Sequence, residues 1–370
     1  MAAVEVVVAG GGPAGAAAAL VLARRGRRVM LTDAAPPSEF RVGEALPPAA
    51  TPLLRDLGLL PRFLAAKHLP SYGNASAWGS DELGFNDFIF DPAGHGHHLD
   101  RARFDAMVHD AAAEAGAQVI PGARVVSGTA GEVRLWRSGR QEEVACRWVV
   151  DATGRSGAIA RARGATRLTA DRLLAFWARF GSPRAENDDE DTRTLVESCP
   201  EGWWYTALVP SRERVIAFLT DEDLADRGAL LSPDGFSAQL SRTAHVQAIV
   251  DVHGYRILGR PRGADASSTR LDMFAGPGWV AAGDAALAFD PLSSQGILNA
   301  LYSGMKAGEA LDEALTGDAD ALDRYAAHLE EIAAAYAANW AAFYAHEDRW
   351  PDRPFWRRRA GRDPAGRGSA

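Results

Sequence analysis

The sequence predicts an α/β fold in which a parallel-sheet domain is interrupted by an antiparallel β-sheet domain and followed by C-terminal helices. Three observations predict it. The chain opens with a β-α-β pattern over residues 4–33, and residues 171–220 contain apolar runs of period 2 with turn residues between them. From residue 279 a strand, a Gly-Asp pair and a helix lead back to the first domain. Strands that alternate with helices form parallel sheets, whereas period-2 runs separated by turns form antiparallel ones.

These patterns divide the chain into a discontinuous first domain and an inserted second domain. We expect the first domain to comprise residues 1–75, 99–165 and 275–320, and the second, which would hold a substrate, to comprise residues 76–98 and 166–274. Residues 321–358 would form a C-terminal helical segment, and residues 359–370 a mobile tail. A ligand is expected in the crevice between the two domains.

The first elements follow from apolar runs and the residues that bound them. VEVVVAG (residues 4–10) is typical of a buried parallel strand, and RRVMLTD (27–33) of a second strand. Between them, PAGAAAALVLARRG (13–26) predicts a helix that begins at Pro and ends at Gly. Residues 47–66 indicate helical pieces broken by proline, and residues 100–116 an amphipathic helix.

The pattern changes in the middle and at the end of the chain. Residues 76–80 and 87–91 are interpreted as antiparallel strands, and the acidic run ENDDED (186–191) as an exposed hairpin tip. Residues 232–250 predict one helix, and residues 322–350 predict a long helix or a pair of helices.

Composition and charge exclude several classes of partner. The 370-residue chain has a formal net charge of −8, whereas nucleic-acid binding requires a basic surface. No apolar run approaches the roughly 20 residues that span a bilayer, and the apolar start lacks the basic segment of a signal peptide. The two cysteines, Cys146 and Cys199, lack metal-site spacing and are too few for a disulfide framework. We therefore expect a cytoplasmic protein that binds neither nucleic acid nor a membrane.

A glycine-rich segment, GGGPAG (residues 10–15), stands between the first strand and the first helix with the spacing Gly10-x-Gly12-x-x-Gly15. Glycines at this spacing make a tight turn, let the backbone approach a pyrophosphate and let the helix pack on the strand. The helix N-terminus attracts phosphate. Asp33 ends the second strand, where its carboxylate can accept hydrogen bonds from a ribose. Together these features predict a dinucleotide site.

Three further segments indicate which dinucleotide binds. VVDATGRSG (149–157) and AAGDAA (281–286) are strands that end in Asp-x-x-Gly-Arg and Gly-Asp, and LDRARFD (99–105) begins a helix. With the glycine-rich segment, they resemble the FAD-binding pattern of the aromatic-hydroxylase-like flavoproteins. The resemblance implies FAD as the cofactor, in a Rossmann-like domain of the glutathione-reductase type. It also implies that Asp284 holds a ribityl hydroxyl and that Arg101 lies near the ribityl–phosphate chain.

The motifs and the resemblance together assign a set of cofactor-binding residues. They are Gly10, Gly12, Pro13, Ala14, Gly15, Asp33, Arg41, Gly43, Glu44, Arg101, Val125, Asp151, Ala152, Gly154, Gly283, Asp284, Pro291, Ser294, Gln295, Gly296 and Ile297. No second GxGxxG follows a strand. The flavin would therefore be reduced by NAD(P)H at a transient site, or by a separate flavin reductase or free reduced flavin. Dioxygen would be the co-substrate.

The segment FDPLSSQGILNA (289–300) is interpreted as a loop that borders the flavin ring. A helix that starts near Ser294 would direct the N–H groups of residues 294–297 at the N1–C2=O edge, which is anionic in reduced flavin. Pro291 would fix the backbone direction, and Gly296 would leave room for the ring. Pro291 and Gln295 are the candidate catalytic residues of this loop.

The same loop is similar to that of the flavin-dependent tryptophan halogenases, which read P-L-E-S-T-G. Ser293 stands in place of the halogenase glutamate, and the halogenase WxWxIP is GWWYTALVP (202–210) in this chain. These halogenases also need a lysine amine on a strand before the R-x-x-F-D helix, whereas the only lysines here are Lys67 and Lys306. The departures argue against halogenation, and the resemblance then implies the flavin C4a-hydroperoxide itself as the oxidant.

Several segments together resemble the flavoproteins that mature tryptophylquinone enzymes. They are RVGEALPPAATPLLRDLGL (41–59), SAWGS (76–80), LDRARFD (99–105), GWWYTALVP (202–210), LTDEDL (219–224), GDAALAFDPLSSQGI (283–297) and HEDRWPDRPFWRRR (346–359). The resemblance covers nearly the whole chain and implies a monooxygenase that hydroxylates the indole of a tryptophan in a peptide or partner protein. A small or carrier-bound aromatic substrate, a halogenase, a flavin-dependent reductase and a non-catalytic flavoprotein assembly factor stay open as alternatives.

Aromatic residues on predicted strands are the candidate substrate contacts, namely Trp78, Trp204 and Tyr205. Along a strand, residues 203 and 205 face one way and residue 204 faces the other, so only one of these sets can line the crevice.

For two further groups of polar residues, the sequence leaves the role undecided or argues against a ligand. Glu44 is expected either beside the flavin or in a local ion pair with Arg41. His95, His97 and His98 lie in a Gly-rich turn without carboxylate or cysteine spacing, and no metal is expected.

Overall fold

The computed structural model describes residues 4–34, 40–129, 131–183 and 189–360. Its strands are β1 (Val6–Ala9), β2 (Val29–Asp33), β3 (Ala45–Leu46), β4 (Leu69–Ser71), β5 (Gly73–Ala77), β6 (Gly84–Asp87), β7 (Gly96–His98), β8 (Gln118–Pro121), β9 (Ala123–Thr129), β10 (Glu132–Arg137), β11 (Arg140–Ala145), β12 (Trp148–Asp151), β13 (Arg167–Thr169), β14 (Leu173–Gly181), β15 (Thr194–Cys199), β16 (Gly202–Leu208), β17 (Arg214–Asp221), β18 (Arg256–Asp265), β19 (Thr269–Leu271), β20 (Ala275–Gly276), β21 (Trp279–Ala281) and β22 (Leu287–Ala288).

The α-helices are α1 (Pro13–Arg24), α2 (Ala50–Asp56), α3 (Leu60–Ala65), α4 (Arg101–Glu114), α5 (Ala158–Ala162), α6 (Arg227–Leu230), α7 (Pro233–Leu240), α8 (His245–His253), α9 (Gly296–Leu315), α10 (Ala321–Ala345) and α11 (Pro354–Arg359). Short 3-10 helices cover Phe88–Phe90, Gly154–Ser156, Gly283–Ala285 and Pro291–Ser293. Among the described residues, no helix combines the length and the apolar character that a membrane span requires.

A six-stranded sheet in the order β20-β21-β12-β1-β2-β8 forms the centre of the first domain. β1 runs parallel to β12 and to β2, so that Val6 lies opposite both Trp148 and Val29. All residues of β1 are buried, as its β-branched run predicts for a strand covered on both faces. The predicted α/β fold is confirmed.

The two faces of this sheet are covered by different elements because successive side chains of a strand point to opposite faces. Val6 and Val8 of β1 belong to the hydrophobic core that contains α1, α4 and α9. Val7 packs with Val133 and Val144 of the three-stranded antiparallel sheet formed by β9, β10 and β11.

Helices α1 and α9 approach each other closely. A Cβ atom added at Gly304 of α9 would lie 2.1 Å from the carbonyl oxygen of Ala14 in α1. The alanine-rich sequence of α1 permits this contact because its side chains are short, and nine of its residues are buried. As a result, the beginning of α1 is fixed against α9.

A seven-stranded sheet in the order β18-β14-β17-β16-β15-β5-β6 forms the inserted domain. Its neighbouring strands are antiparallel except for β15 and β5, which are parallel. One face packs Trp204 and Phe218 against Phe236 of α7. The opposite face carries Trp177 and Trp203. The predicted boundary at residue 75 falls inside β5.

The C-terminal segment packs on this second face. Tyr344 at the end of α10 and Phe355 and Trp356 of α11 lie in one hydrophobic cluster with Trp203. Arg359, expected in a mobile tail, is instead buried in α11 and pairs with Asp221 at 2.8 Å. The remaining part of that predicted tail, residues 361–370, lies outside the described residues.

Two segments differ from their predicted secondary structure. The predicted strand 87–91 is a 3-10 helix over Phe88–Phe90, since β6 already ends at Asp87. The single helix predicted over residues 232–250 is interrupted after Leu240, and α8 begins only at His245. These breaks lie in turns, where local hydrogen bonding competes with regular structure.

The acidic run 186–191 is partly outside the described residues; in its described end Glu190 and Asp191 are exposed, as predicted, but Asp189 is not. Asp189 is buried, and its carboxylate forms an ion pair of 2.6 Å with the buried Arg214. The Tyr255 hydroxyl also donates to Asp189, at 2.8 Å. A buried charge is stable when it is paired in this way, which the sequence of the run alone does not indicate.

Candidate cofactor and substrate site

A cavity of about 490 Å³ lies between the first domain and the seven-stranded sheet. Fourteen of the predicted site residues line it: Gly12, Pro13, Ala14, Gly43, Glu44, Arg101, Ala152, Gly154, Tyr205, Asp284, Pro291, Ser294, Gly296 and Ile297. The cavity therefore extends from the glycine-rich segment to the start of α9, between the two domains, where a ligand was expected.

The glycine-rich segment has two packing positions and one open position. A Cβ added at Gly10 would lie 2.1 Å from the Ala152 carbonyl oxygen. A Cβ added at Gly15 would lie 1.9 Å from the Gly10 carbonyl oxygen. At Gly12 an added Cβ would meet no atom within 4 Å. Gly10 and Gly15 thus hold the turn against β12, while Gly12 leaves the space that a close-lying pyrophosphate needs.

Asp33 and Arg41 lie near the glycine-rich segment but not in the cavity wall. A Cβ added at Gly11 would lie 2.4 Å from the Asp33 Cβ. The guanidinium of Arg41 is 3.6 Å from the Asp33 carboxylate and 2.9 Å from that of Asp105. Asp33 is therefore placed at the end of β2 beside the turn, as the ribose-binding pattern requires.

Arg101 holds the segment that follows Arg41. Its Nη1 atom donates to the carbonyl oxygens of Val42 at 3.0 Å and Gly43 at 2.9 Å. Asp105, one turn later in α4, lies 3.4 Å from Nη2 of Arg101. Arg101 thus fixes this segment along the cavity and borders the cavity itself.

Asp151, predicted to bind the cofactor, is occupied by the backbone instead. It is fully buried, and its carboxylate accepts hydrogen bonds from the N–H and hydroxyl of Thr153 and from the N–H groups of Ile159 and Ala160. With its lone pairs used in this way, Asp151 positions Ala152 and Gly154 in the cavity wall rather than contacting a ligand. The prediction for Asp151 is corrected accordingly.

The Gly-Asp pair turns the chain at the other side of the cavity. Gly283 has φ of 63°, and its N–H donates to the Ser303 hydroxyl at 2.8 Å. Asp284 follows, with its side chain 36% exposed at the cavity and 3.7 Å from the Arg155 guanidinium. Its carboxylate is accessible, as a ribityl contact requires.

The loop before α9 differs in detail from the prediction. Pro291–Ser293 form a 3-10 turn, Ser294 has φ of 52°, and α9 begins at Gly296 rather than near residue 294. An added Cβ at Gly296 would meet no atom within 4 Å, and Gly296 and Ile297 line the cavity. The first N–H groups of a helix have no partner inside it, so the start of α9 offers donors at the cavity.

Gln295, a predicted catalytic residue, has an exposed side chain that does not line the cavity. Its contribution is the carbonyl oxygen, which accepts the Asn299 N–H at 2.8 Å in the first turn of α9. The structure gives no support to a catalytic side chain at this position.

Asp290, which sequence reasoning missed, anchors the loop. It is buried at the cavity, and its carboxylate accepts hydrogen bonds from the Leu292 N–H at 2.9 Å, Trp340 Nε1 at 3.1 Å and the Tyr344 hydroxyl at 2.8 Å. Burial raises the pKa of Asp290 to about 6. The two aromatic partners lie on α10, so no local pattern around residue 290 could have identified this anchor.

The sheet wall of the cavity is formed by Trp177, Tyr205, Val215, Ala217 and Leu219, with others. Residues 215, 217 and 219 have the spacing that places side chains on one face of a strand. Ala175 and Trp177 of β14 line the cavity with the same spacing, and the only sequence signal for Trp177 is its place on one face of the period-2 run at residues 172–180.

Two of the three predicted substrate contacts lie elsewhere. Trp204 is 1% exposed and points to the opposite face, where its ring stacks on Phe218 with centroids 4.9 Å apart. Trp78 packs against Trp356 with centroids 5.2 Å apart, and its Nε1 donates to the Phe343 carbonyl at 3.0 Å. Both predictions are corrected, since these indoles serve packing and do not line the cavity.

Val125 is also misplaced by the prediction. It belongs to β9, and its buried side chain lies in the core beneath the three-stranded sheet, away from the cavity lining. Of the three histidines, His95 and His97 lie together with ring centroids 4.6 Å apart, whereas His98 is buried and bonds with the Leu208 carbonyl at 2.7 Å and the Thr194 hydroxyl at 3.1 Å. Among the residues described, no group of three His, Cys, Asp or Glu side chains could hold a metal ion.

Glu44 and Tyr205 form a hydrogen-bonded pair in the cavity wall. Glu44 is 2% exposed, and its carboxylate accepts from the Tyr205 hydroxyl and, at 3.0 Å, from the Gly43 N–H. Burial raises the pKa of Glu44, and burial next to Glu44 raises the pKa of Tyr205 well above its usual value. The alternative of an ion pair between Glu44 and Arg41 is wrong, because Arg41 pairs with Asp33 and Asp105.

Neither lysine reaches the cavity. Lys67 is exposed at φ of 51° and borders a separate cavity of about 470 Å³ with Phe63 and His97. Lys306 lies on α9, where its ammonium pairs with Glu309 at 2.8 Å. The cations in the lining of the main cavity are Arg101 and Arg155.

The cavity fits an extended dinucleotide such as FAD. At one end Gly12 and the start of α1 provide open space and backbone donors, and at the other end Asp284 and the start of α9 border the apolar sheet wall. The residues of this site would hold the pyrophosphate at α1, the ribityl chain near Arg101 and Asp284, and the ring between α9 and the sheet.

A family model described as an FAD binding domain matches residues 3–339. LodB of Marinomonas mediterranea, named as an FAD-dependent oxidoreductase, is 31% identical over 343 residues, which are 90% of this chain and 90% of LodB. The site and this match agree on the cofactor.

Two solved structures are similar to the whole chain. The myxobacterial chondrochloren halogenase CndH has a TM-score of 0.83 at 23% identity, covering 96% of this chain and 86% of its own. The peptidyl tryptophan dihydroxylase QhpG, described as essential for tryptophylquinone cofactor biogenesis, has a TM-score of 0.78 at 25% identity. That match covers 97% of this chain and 79% of QhpG.

Proposed function

Since this chain belongs to the FAD binding domain family and is a flavin-dependent enzyme, we propose that it is a monooxygenase that hydroxylates an aromatic ring. The substrate of this proposal is the indole of a tryptophan in a peptide or partner protein. Bound FAD would supply the electrons that activate dioxygen. The remaining work of positioning the ring and excluding water falls to the chain's own residues.

The observation that carries the proposal is the composition of the cavity wall next to the start of α9. Trp177, Tyr205 and Phe289 give an aromatic surface, and neither Lys67 nor Lys306 lies there. Aromatic walls suit an indole, because ring pairs pack favourably with centroids about 4.5–7 Å apart. The similarity to QhpG supports a tryptophan substrate within a peptide.

Halogenation is the second candidate, because CndH is a halogenase of similar fold. The halogenases that this sequence resembles use a lysine amine in their substrate site. Here Lys67 borders a different cavity and Lys306 is held by Glu309. The favoured product therefore carries a hydroxyl group and no halogen.

Mass spectrometry of the product separates the candidates. The purified holoenzyme is incubated with a panel of tryptophan-containing peptides, free tryptophan and ¹⁸O-labelled dioxygen, in buffer that contains both chloride and bromide. NADH, NADPH and a flavin reductase are supplied in separate arms to identify the electron donor. We expect a peptide product that is heavier by labelled oxygen.

Two variants serve as controls for the halogenase alternative. Lys67→Ala and Lys306→Ala should leave the yield of oxygenated product unchanged. A chlorinated or brominated product that either variant abolishes would replace hydroxylation with halogenation as the function. Binding of FAD without any product or substrate-dependent oxygen uptake would favour an assembly factor instead.

A further inference from the structure

Glu44 and Tyr205 come from different domains and meet at the cavity. Glu44 lies in the segment that Arg101 holds along the first domain, and Tyr205 lies on β16 of the inserted sheet. They are 161 residues apart in sequence, and the Tyr205 hydroxyl donates to Oε1 of Glu44. The pair therefore joins the two walls of the cavity in which the aromatic substrate would lie.

Three other carboxylates line the cavity, and of these the accessible Asp284 is assigned to the ribityl chain, whereas Asp290 and Asp265 are engaged by neighbouring residues. Asp290 accepts three hydrogen bonds from Leu292, Trp340 and Tyr344. Asp265 pairs with Arg167 at 2.9 Å and accepts from Ser267. A carboxylate has about four lone-pair sites, and Glu44 uses two of them, for the Tyr205 hydroxyl and the Gly43 N–H. Glu44 thus keeps acceptor capacity at the sheet side of the cavity.

We propose that Glu44 accepts the proton that the aromatic ring loses during hydroxylation, and that Tyr205 is the positioning residue that holds it; this assignment rests on the proposed function. When a C–O bond forms at a ring carbon that bears hydrogen, that carbon carries both substituents until its C–H bond breaks. The C–H electron pair returns to the ring, and the proton moves to a Glu44 oxygen. One atom of dioxygen stays on the ring and the other leaves as water; bound reduced FAD would supply the two electrons, the two protons of this water come from the reduced flavin and solvent, and Glu44 afterwards releases its proton to solvent.

The surroundings of the pair suit a proton acceptor. Burial favours the neutral form of Glu44 and so makes its ionised form more basic than an exposed carboxylate. Arg101 on α4 opposes this shift, as does the Tyr205 hydrogen bond, so the carboxylate can still ionise. Arg214 on β17 and a hydrogen bond with Thr194 on β15 act against the raised pKa of Tyr205. A general base of this kind contributes typically about 100- to 10,000-fold to a rate.

Three variants of the holoenzyme test the assignment with the peptide that the wild-type enzyme hydroxylates. We expect Glu44→Gln to lower the rate of labelled product formation by about 100-fold. Tyr205→Phe removes a donor that lowers the Glu44 pKa, so the rise of the rate with pH should move to higher pH. Glu114→Gln, on an exposed carboxylate that pairs with Arg62, is the matched control and should match the wild type.

A measurement on the FAD-free chain does not depend on activity. A buried acid whose pKa is raised by folding contributes stability that is complete below its unfolded pKa and is lost as pH rises through the folded value. Relative to Glu44→Gln, the Tm of the wild type should therefore fall as pH rises from about 4.5. When the wild type is compared with Glu114→Gln instead, its Tm should not fall in this way as pH rises.

The outcomes separate the two proposals. Each variant should keep the far-ultraviolet circular dichroism spectrum of the wild type and should be assayed at saturating FAD, so that neither a folding defect nor a change in FAD affinity explains a lower rate. Equal product rates for the wild type and Glu44→Gln, or an unshifted pH profile for Tyr205→Phe, would overturn the proton-acceptor assignment and leave the monooxygenase intact. A wild-type enzyme that hydroxylates no ring would overturn both.

Discussion

Tyr344, near the end of α10, donates a hydrogen bond of 2.8 Å to the buried carboxylate of Asp290, 54 residues earlier in the chain. Asp290 in turn accepts the Leu292 N–H at 2.9 Å and so shapes the loop that leads to α9. Helix α10 therefore supports the cavity wall, although none of its residues lines the cavity.

The first prediction concerns this bond. Tyr344→Phe leaves one acceptor of a buried carboxylate unsatisfied, which costs about 1–3 kcal/mol of unfolding free energy. We also expect several-fold weaker FAD binding, because the loop at the cavity loses its anchor. Urea denaturation and flavin fluorescence titration measure both effects. Tyr302→Phe, whose hydroxyl bonds with His328 away from the cavity, is the control, and equal losses in the two variants would contradict the anchor role.

The second prediction concerns pH. Burial raises the pKa of Asp290 to about 6, so its contribution to stability is present below the unfolded pKa near 4 and is lost as pH rises through about 6. The free energy of unfolding of the wild type should decrease by up to about 3 kcal/mol over this pH range, and this decrease should be missing in Asp290→Asn. Thermal denaturation from pH 4 to pH 7.5 measures it. Parallel curves for the two proteins would show that Asp290 titrates normally.

The third prediction separates the two roles of the glycines. Gly12→Ala should fold normally, because the added Cβ meets no protein atom, but it should weaken FAD binding by about 100-fold where the pyrophosphate approaches. Gly10→Ala should instead unfold the chain, since the Cβ would lie 2.1 Å from the Ala152 carbonyl oxygen at φ of 113°. Circular dichroism and FAD titration distinguish them. A folded Gly10→Ala variant, or unchanged FAD affinity in Gly12→Ala, would contradict this division.

The fourth prediction compares two tryptophans of the inserted sheet. Trp177→Ala removes part of the cavity wall and should raise KM for the aromatic substrate about 10-fold or more with little change in FAD affinity. Trp204→Ala should leave KM unchanged and cost about 3–5 kcal/mol of stability, because its ring is buried against Phe218 and Phe236. Steady-state kinetics and urea denaturation test the pair. The reverse pattern would mean that the sheet presents its other face to the substrate.

Local sequence patterns predicted the parts of the site that depend on backbone geometry. Gly10, Gly12 and Gly15 were identifiable because their spacing between a strand and a helix is itself the pattern of a dinucleotide-binding turn. The predicted start of α9, near residue 294, lies two residues before the observed start at Gly296. The sequence could not show this difference because the 3-10 turn at Pro291–Ser293 depends on the Asp290 side chain and its distant partners.

Side chains that depend on long-range contacts could not be predicted in this way. Asp151 has the same sequence context whether it binds a ligand or caps the backbone of Ile159 and Ala160. Asp189 seemed exposed because its neighbours are acidic, whereas its partner Arg214 comes from another strand. Glu44 and Tyr205 form one unit only after two domains have folded against each other.

The scarcity of lysine makes this chain simple to label. A reagent that acylates lysine side chains finds only the exposed Lys67, beside the smaller cavity, and Lys306, which Glu309 partly shields. With Lys306 replaced by arginine, a photo-crosslinker could be attached to the side chain at position 67 alone. Cross-linked peptides would then map the surface of any reductase or substrate protein that docks near that point.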